Sequence, residues 1–508
     1  MSAEAQAQSA TDLPARPDRA TMLTYFGALI AMFMATMDMQ IMVTALPTIA
    51  GELGNVHLFG WVGASYLLST AAVAPFYGKL GDMYGRKNVV LTAIILFLFG
   101  SLVCGMAWSM ESLIAARVVQ GIGGGGLMVS AFAMIGELFG PRDRAKYQGY
   151  SSAVFTLSSV LGPVAGGYIT DLFGWRWVFL VNLPIGVVVV ALIAFAMRRN
   201  AAPKSHKVDY LGGLLLATAT TAIVYWSDHV LDPVQDIWTY VLPVIGIVAA
   251  IGFIFVERRA AEPIVPLKLF RNHTITIVTI VSLIAGVCTL GLFFYFALYI
   301  QTITGLSPAV VGFLFLPASA TSLVVSIVAG WIIARTGHYK WLPVAAMAIG
   351  VGLMIGYTFV DAHTSLWVLG LMMAVFGVSM GLQFQVLMVA IQAAAPLQDI
   401  GAATGLITQA RTIGASLGLA INGAIMTWAL TAQGGELPAE TAAQLPEGLA
   451  GLTPHAVAAL APAVREDVLA HYSAGFSMLF FAIAGLYGLA FVFALMLKDI
   501  EIPKTAVR

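Results

Sequence analysis

Residues 78–88 read GKLGDMYGRKN, and residues 330–340 read GWIIARTGHYK. Both stretches follow a long apolar run, keep two glycines seven apart and end in basic residues. The likeness spreads outward from there. FTLSSVLGPVAGG (155–167) lies over RTIGASLGLAING (411–423), setting Leu161–Gly162 on Leu417–Gly418. RVVQGIGGG (117–125) lies over MAVFGVSMG (373–381), matching Gly121 with Gly377 and Gly125 with Gly381. The offsets are 252, 256 and 256 residues, as expected for one unit used twice with an insertion between the copies.

Composition says what kind of unit it is. The chain has 508 residues, 59% hydrophobic and 10% charged, with a mean hydropathy of +0.90. Soluble proteins carry about 25% charged residues, so this chain is suited to lipid. Its net charge is zero, which argues against a nucleic-acid partner. The two cysteines, Cys104 and Cys288, lie in apolar runs and suggest neither a disulfide framework nor a metal site. The leading MSAEAQAQSATDLPARPDRA has no apolar core of a cleavable signal and reads as a disordered cytoplasmic tail.

A membrane-spanning helix needs about 20 apolar residues. Fourteen such spans are expected: 22–46, 58–78, 88–109, 112–136, 147–170, 176–197 and 210–228 come first. Then follow 238–257, 274–301, 308–334, 341–360, 365–391, 401–430 and 473–497. With both termini cytoplasmic, 21 of the 25 Lys and Arg fall in inner tails and loops, as the positive-inside rule requires. Arg117 and Arg411 lie within spans, leaving Arg176 and Arg465 outside. The expected fold is therefore all-α and polytopic. Residues 1–21 form the inner tail, 22–200 a six-helix bundle, 201–272 two inserted spans, 273–497 a second six-helix bundle, and 498–508 a second inner tail. The outer loop at 431–472 is the longest, and its expected form is a flexible or loosely helical cap.

Repeated halves packed around a midplane cavity are the architecture of many secondary transporters. Here the halves differ in charge. Asp82 aligns with Ala334, Arg117 with Met373, and span 9 has no carboxylate to match Asp38. A carboxylate inside a span costs roughly 2.5–3.5 kcal/mol on insertion scales. Asp38 has no partner close in sequence, so its neutral, protonated form is favoured, as a proton carrier requires. Arg117 cannot deprotonate. It either faces Asp38 or the cavity and couples to it, or ties its helix permanently to polar groups such as Gln120.

GKLGDMYGRKNVVL (78–91) resembles the loop 2–3 signature of the major facilitator superfamily, and LIAARVVQGIGGG (113–125) resembles its helix 4 signature with a membrane Arg. LGPVAGG (161–167) is similar to the helix 5 signature associated with antiporters. MDMQIMVTALP (37–47) and WRWVFLVNLPIG (175–186) are similar to motifs of its fourteen-span drug:H⁺ antiporter branch, DHA2-type multidrug efflux proteins. Met39-Gln40 departs from that branch, which usually has a small or hydroxylated residue there. The resemblance covers residues 22 to about 430. It implies a bacterial inner-membrane exporter driven by the proton gradient, with no cofactor and no catalytic or metal site, and with drug-like molecules and protons as its partners in the bilayer. A monomer is expected. No soluble adaptor domain is read within the sequence.

Each motif then has an expected role. Gly78, Asp82, Gly85, Arg86 and Lys87 form a cytoplasmic turn that latches onto the other half, with Glu137 a partner for Arg86; topology alone would also place basic residues there. Gly162, Pro163, Gly166 and Gly167 thin helix 5 and permit a bend, as a gate or as plain packing requires. GIGGGG (121–126) is a packing stretch, because it lies mid-membrane with no following Lys-Ser/Thr to make a phosphate loop. The cavity wall draws on Gln40 and Gln120, then on Phe293, Phe294, Tyr295, Tyr299 and Gln301. Gln383, Gln385, Gln409 and Arg411 complete it; Arg411 either receives an anionic group or holds its own helix in place. Aromatic faces and uncharged amides suit amphipathic cargo.

The function expected is proton-coupled export of small lipophilic or amphipathic compounds, with about one proton per cycle. The alternative is a specific metabolite or peptide proton-coupled transporter, but span 1 has no ExxER-type cluster. A signalling scaffold would need no midspan acid. An enzyme would need an acid, a base and a nucleophile together, and no such cluster is visible.

Overall fold

The computed structural model describes residues 18–138, 154, 157–158, 161–197, 209–229, 237–260, 263, 267–361, 364–396, 400–435, 437–442, 444–445 and 448–499. All regular structure in them is helical. Lipid offers the backbone no hydrogen bonds, so a spanning segment must satisfy its own N–H and C=O groups, which a helix does. Ten helices are long and apolar enough to cross a membrane, and Phe59–Ala74, Tyr210–Ile223 and Trp341–Tyr357 are shorter apolar stretches. Large side chains on the outside fit that setting: Phe195 is 90% exposed, Trp367 89% and Phe359 80%.

The first half comprises α1 (Arg19–Leu53), α2 (Phe59–Tyr84), α3 (Arg86–Gly105), α4 (Met110–Leu138), α5 (161–173), α6 (Arg176–Leu180) and α7 (Asn182–Ala196). Asp18 caps α1 by accepting the Thr21 N–H at 2.8 Å. Next come α8 (Tyr210–His229) and α9 (Ile237–Arg259), which pack on each other, while α8 also touches α2 and a second-half helix. The second half contains α10 (His273–Thr304), α11 (Pro308–Leu314), α12 (Leu316–Thr336), α13 (Trp341–Tyr357), α14 (Leu366–Ala394), α15 (Ile400–Gly434) and α18 (Pro462–Leu495), with short helices α16 (Ala439–Ala442) and α17 (Pro454–Ala458) before the last.

The helix pairing repeats between the halves. In the first, α4 packs on α2 and α3; in the second, α14 packs on α12 and α13. The aligned glycines serve that packing. A Cβ on Gly121 would press on the backbone of Tyr66, and one on Gly377 on the backbone of Ala318. Gly125 meets Thr70 in the same way, and Gly381 meets Ser322. Both partner pairs are 252 residues apart, the offset of the two loop motifs. Small residues let these backbones approach closely, so GIGGGG is packing in the folded chain.

The halves meet along α2 and α15 and where α1 touches α10 and α11. Gln409 Nε2 donates to the Ala71 carbonyl at 3.2 Å, and Ser416 Oγ to the Ala64 carbonyl at 3.2 Å. Nearer the outer end, Gln301 Nε2 donates to the Thr44 carbonyl at 3.0 Å. At 431–472, expected as a flexible or loosely helical cap, the described residues include the short helices α16 and α17. α15 continues to Gly434 and α18 begins at Pro462, and the chain between them is anchored by buried Leu445, Leu449, Leu452 and Val457. α17 touches both α1 and α10, so this segment bridges the halves. Its apolar side chains are spaced through a polar stretch, which hides their common face from a hydropathy reading.

Candidate functional site

Helix packing gathers five polar side chains from α1, α3, α4 and α7 into one buried cluster. Asp38 and Arg117 are both fully buried, and Arg117 Nη1 lies 2.5 Å from Asp38 Oδ2. The other carboxylate oxygen accepts from Gln120 Nε2 and from Asn182 Nδ2, each at 2.8 Å. Both amides also donate to Ser101 Oγ, at 3.1 and 3.0 Å, and Ser101 passes its own proton to the Phe179 carbonyl at 3.0 Å. Arg117 spends its remaining donors on Gln120 Oε1 at 2.7 Å, the Val62 carbonyl at 3.3 Å and Met39 Sδ at 3.4 Å. Its guanidinium carbon sits 4.2 Å from the centre of the Tyr66 ring. A buried ion pair survives only when such bonds offset its desolvation.

Asp38 has no partner close in sequence, and of the placements open to Arg117 the structure has the one facing Asp38. Its partner is 79 residues away, and no local pattern reveals it. Arg117 does both things posed as alternatives: it faces Asp38 and it holds Gln120. Gln120, expected on the cavity wall, is fully buried inside the cluster. Asn182 and Ser101 were not singled out in the sequence; the available signal was an amide or hydroxyl inside an apolar span. Among the described residues the second half shows no such cluster at the matching place, where Met373 is buried in the apolar core.

The turn at 78–88 is described in part. Gly85 adopts φ +88°, which a residue with a Cβ rarely does. Lys87 Nζ donates to the Ala194 and Met197 carbonyls at 2.6 and 2.7 Å, so it caps the end of α7 in its own half instead of reaching the other. The side chains of Asp82 and Glu137, and the surroundings of Gly78, lie outside what is described, as do the tails at 1–17 and 500–508. Arg86 packs its side chain near Gly81.

Helix α5 threads between the halves. A Cβ on Gly162 would strike Gln40, and one on Gly166 the Ile41 carbonyl, both on α1. On its other side, Gly167 abuts Pro308 and Pro163 abuts Gly312. Thr44 Oγ1 donates to the Pro163 carbonyl at 3.0 Å, so α1, α5 and α11 close the outer side together.

The expected wall residues divide. Tyr299 is buried among Phe476 and Phe480 and donates to the Val360 carbonyl. Phe293 stacks on Phe315 and Phe294 is fully buried, so both are core. Tyr295 donates to the Leu419 carbonyl at 3.3 Å and lines a small outer cavity with Phe59, Leu298 and Ala450. Gln301 and Gln409 are spent on contacts between the halves. Gln383 is buried, whereas Gln385 is exposed and Gln40 and Arg411 are half-buried. The guanidinium of Arg411 lies 3.8 Å from the centre of the Phe384 ring.

Two helical bundles closed against each other, with a charge pair buried in one of them, define a polytopic membrane transporter. The profile of the Major Facilitator Superfamily matches residues 28–419, and the chain belongs to that family. It is 34% identical over 405 residues to Multidrug transporter protein MdtP of Bacillus subtilis, covering 79% of this chain and 74% of that one. Multidrug resistance protein 3 of the same organism is 32% identical over 417 residues, covering 80% of each chain. An uncharacterized MFS-type transporter of Mycobacterium tuberculosis is 34% identical over 486 residues, 95% of this chain and 69% of that one. Among solved structures, an inward-facing, occupied bacterial homologue of the human lysosomal transporter Spinster superposes with a TM-score of 0.69 at 15% identity, covering 95% of this chain and 97% of that one. A D-xylose–proton symporter gives 0.59 at 16% identity, covering 95% and 97%. These two likenesses concern the fold alone. Members of the family are transporters, so the chain is not an enzyme.

Proposed function

We propose that the chain is a proton-driven exporter of small amphipathic compounds, of the fourteen-span drug:H⁺ antiporter type, in a bacterial inner membrane with both termini cytoplasmic. The observation that carries this reading is the buried Asp38–Arg117 pair at 2.5 Å. Protonating Asp38 removes the negative charge and leaves Arg117 with Gln120 Oε1, the Val62 carbonyl and the Tyr66 ring. The attraction holding α1 to α4 then falls, and it returns when the proton leaves. Thr44, on the same helix, makes the outer contacts to Gln301 and Pro163, so a shift of α1 at Asp38 is felt where the halves close. Names of relatives such as Multidrug transporter protein MdtP support drug-like cargo. The proton gradient serves as the energy source, with one proton per cycle, a monomer as the working unit and no cofactor. Gly78, Asp82, Gly85 and Arg86 act as a cytoplasmic latch, with Glu137 the partner of Arg86.

The test is efflux of several fluorescent drugs from proteoliposomes after a pH jump, wild type against Asp38→Asn. Gradient-dependent efflux is expected in the wild type and absent in the variant. Equal efflux from both would refute the role of Asp38.

A further inference from the structure

The membrane core holds two arginines, and they are treated very differently. Arg117 is fully buried and meets a carboxylate, an amide, a carbonyl and a ring. Arg411 lies on α15, eleven residues past Ile400 and so about 16 Å along the helix. That depth is shared by the α15–α2 seam, where Gln409 and Ser416 bond to first-half carbonyls. The one contact of its guanidinium among the described residues is the face of Phe384. No carboxylate of the second half is placed to reach it: between 274 and 435 the only acids are Asp361, beyond the outer end of α13, and Asp399, just before α15.

The neighbourhood is polar without being acidic. Thr404, Thr408 and Arg411 share one face of α15, at spacings of four and three residues. Gln392 of α14 donates to Thr404 Oγ1 at 3.1 Å, while Gln385 and Thr408 are exposed. A guanidinium presents five N–H donors in a planar fork. An aromatic face offers it a fraction of what a counter-ion would, and an unpaired charge at this depth is expensive. The missing element is an anion, for which the fork is shaped.

We propose that Arg411 is the anion-recognising group of the transport cavity, and that the cargo includes amphipathic organic anions carrying a carboxylate or sulfonate on an aromatic body. This rests on the reading of the chain as an exporter. Phe384 holds the fork in place from one side, leaving its edge for the acid group. Thr408, one turn from Arg411 on the same face and exposed, offers a neutral hydroxyl that does not compete for the charge. Export of a monoanion against uptake of one proton moves two charges in the same electrical sense, so an inside-negative potential speeds it.

Three probes of one shape separate the possibilities: 1-pyrenesulfonate, neutral 1-pyrenemethanol and protonated 1-pyrenemethylamine. Binding to the purified protein is read by quenching of tryptophan fluorescence. Wild type is expected to bind the sulfonate at least tenfold tighter than the other two. Arg411→Gln is expected to weaken sulfonate binding at least tenfold more than it weakens the others, and Arg411→Lys to restore part of the preference. No sulfonate preference in the wild type, or an equal loss for all three probes in Arg411→Gln, would overturn the proposal even if that variant folds poorly. Efflux of the same probes under a pH gradient distinguishes the two readings. Tight sulfonate binding with no gradient-driven efflux of any probe sinks the exporter and keeps the anion site. Efflux of the alcohol and amine with no sulfonate binding does the reverse.

Discussion

Asn182 donates to Asp38 Oδ1 at 2.8 Å across 144 residues of chain, which makes α7 a second helix holding a carboxylate already gripped from α4. Replacing Asn182 with Leu takes a donor from a buried charge, at a cost of about 1–3 kcal/mol. The expected outcome is a lower melting temperature together with gradient-driven efflux that tolerates the same drug gradients less well. Unchanged melting would show that water or Ser101 takes over the bond.

Two arginines, each paired with a carboxylate, have very different predicted worth. The Arg176–Glu52 pair lies on the outer surface, 3.2 Å apart and about half exposed, and such pairs contribute about 0–1 kcal/mol. Arg117→Met strands Asp38, and breaking a buried pair costs about 3–5 kcal/mol. Denaturation should therefore show Arg117→Met to be severalfold more destabilising than Arg176→Met. Adding Asp38→Asn to Arg117→Met should recover much of the loss, since no charge is then left buried. A double variant no more stable than Arg117→Met alone would refute the pairing.

Gly167 abuts Pro308 on the outer seam with no room for a Cβ. Gly167→Leu should wedge the halves apart there, with overpacking of about 1–3 kcal/mol. A cysteine at Tyr295 would report it through labelling by a membrane-impermeant maleimide, because Cys104 and Cys288 are buried. Labelling several times faster than in the Gly167 parent is expected. An equal rate would mean that this contact is not the outer barrier.

How much of this was legible in the letters depended on the range of the interaction. The glycines at 121, 125, 377 and 381 could be matched by offset, and their packing partners proved to be offset too. Close backbone approach leaves that trace because only small residues permit it. Asp38 and Arg117 were conspicuous as charges in apolar spans, and their pairing was one of several open placements, because it depends on how α1 rotates against α4. Asn182 was quieter still, one amide at a helix start. Lys87 read as part of a latch to the other half, but α7 ends beside it with free carbonyls. Leu449, Leu452 and Val457 are few and scattered, and only the fold shows that they plug one surface.

Every side chain that touches Asp38 comes from the first 196 residues, whereas Arg411 and its polar surroundings belong to the second half. On the reading proposed above, fuel and freight fall on separate units joined by a seam of backbone carbonyls. Since Ala64, Ala71 and Thr44 offer main-chain acceptors there, the seam is largely indifferent to which residue types the first half carries at those places. Recombination that exchanges the first half therefore keeps this seam, as long as the second half retains Gln301, Gln409 and Ser416 as its donors.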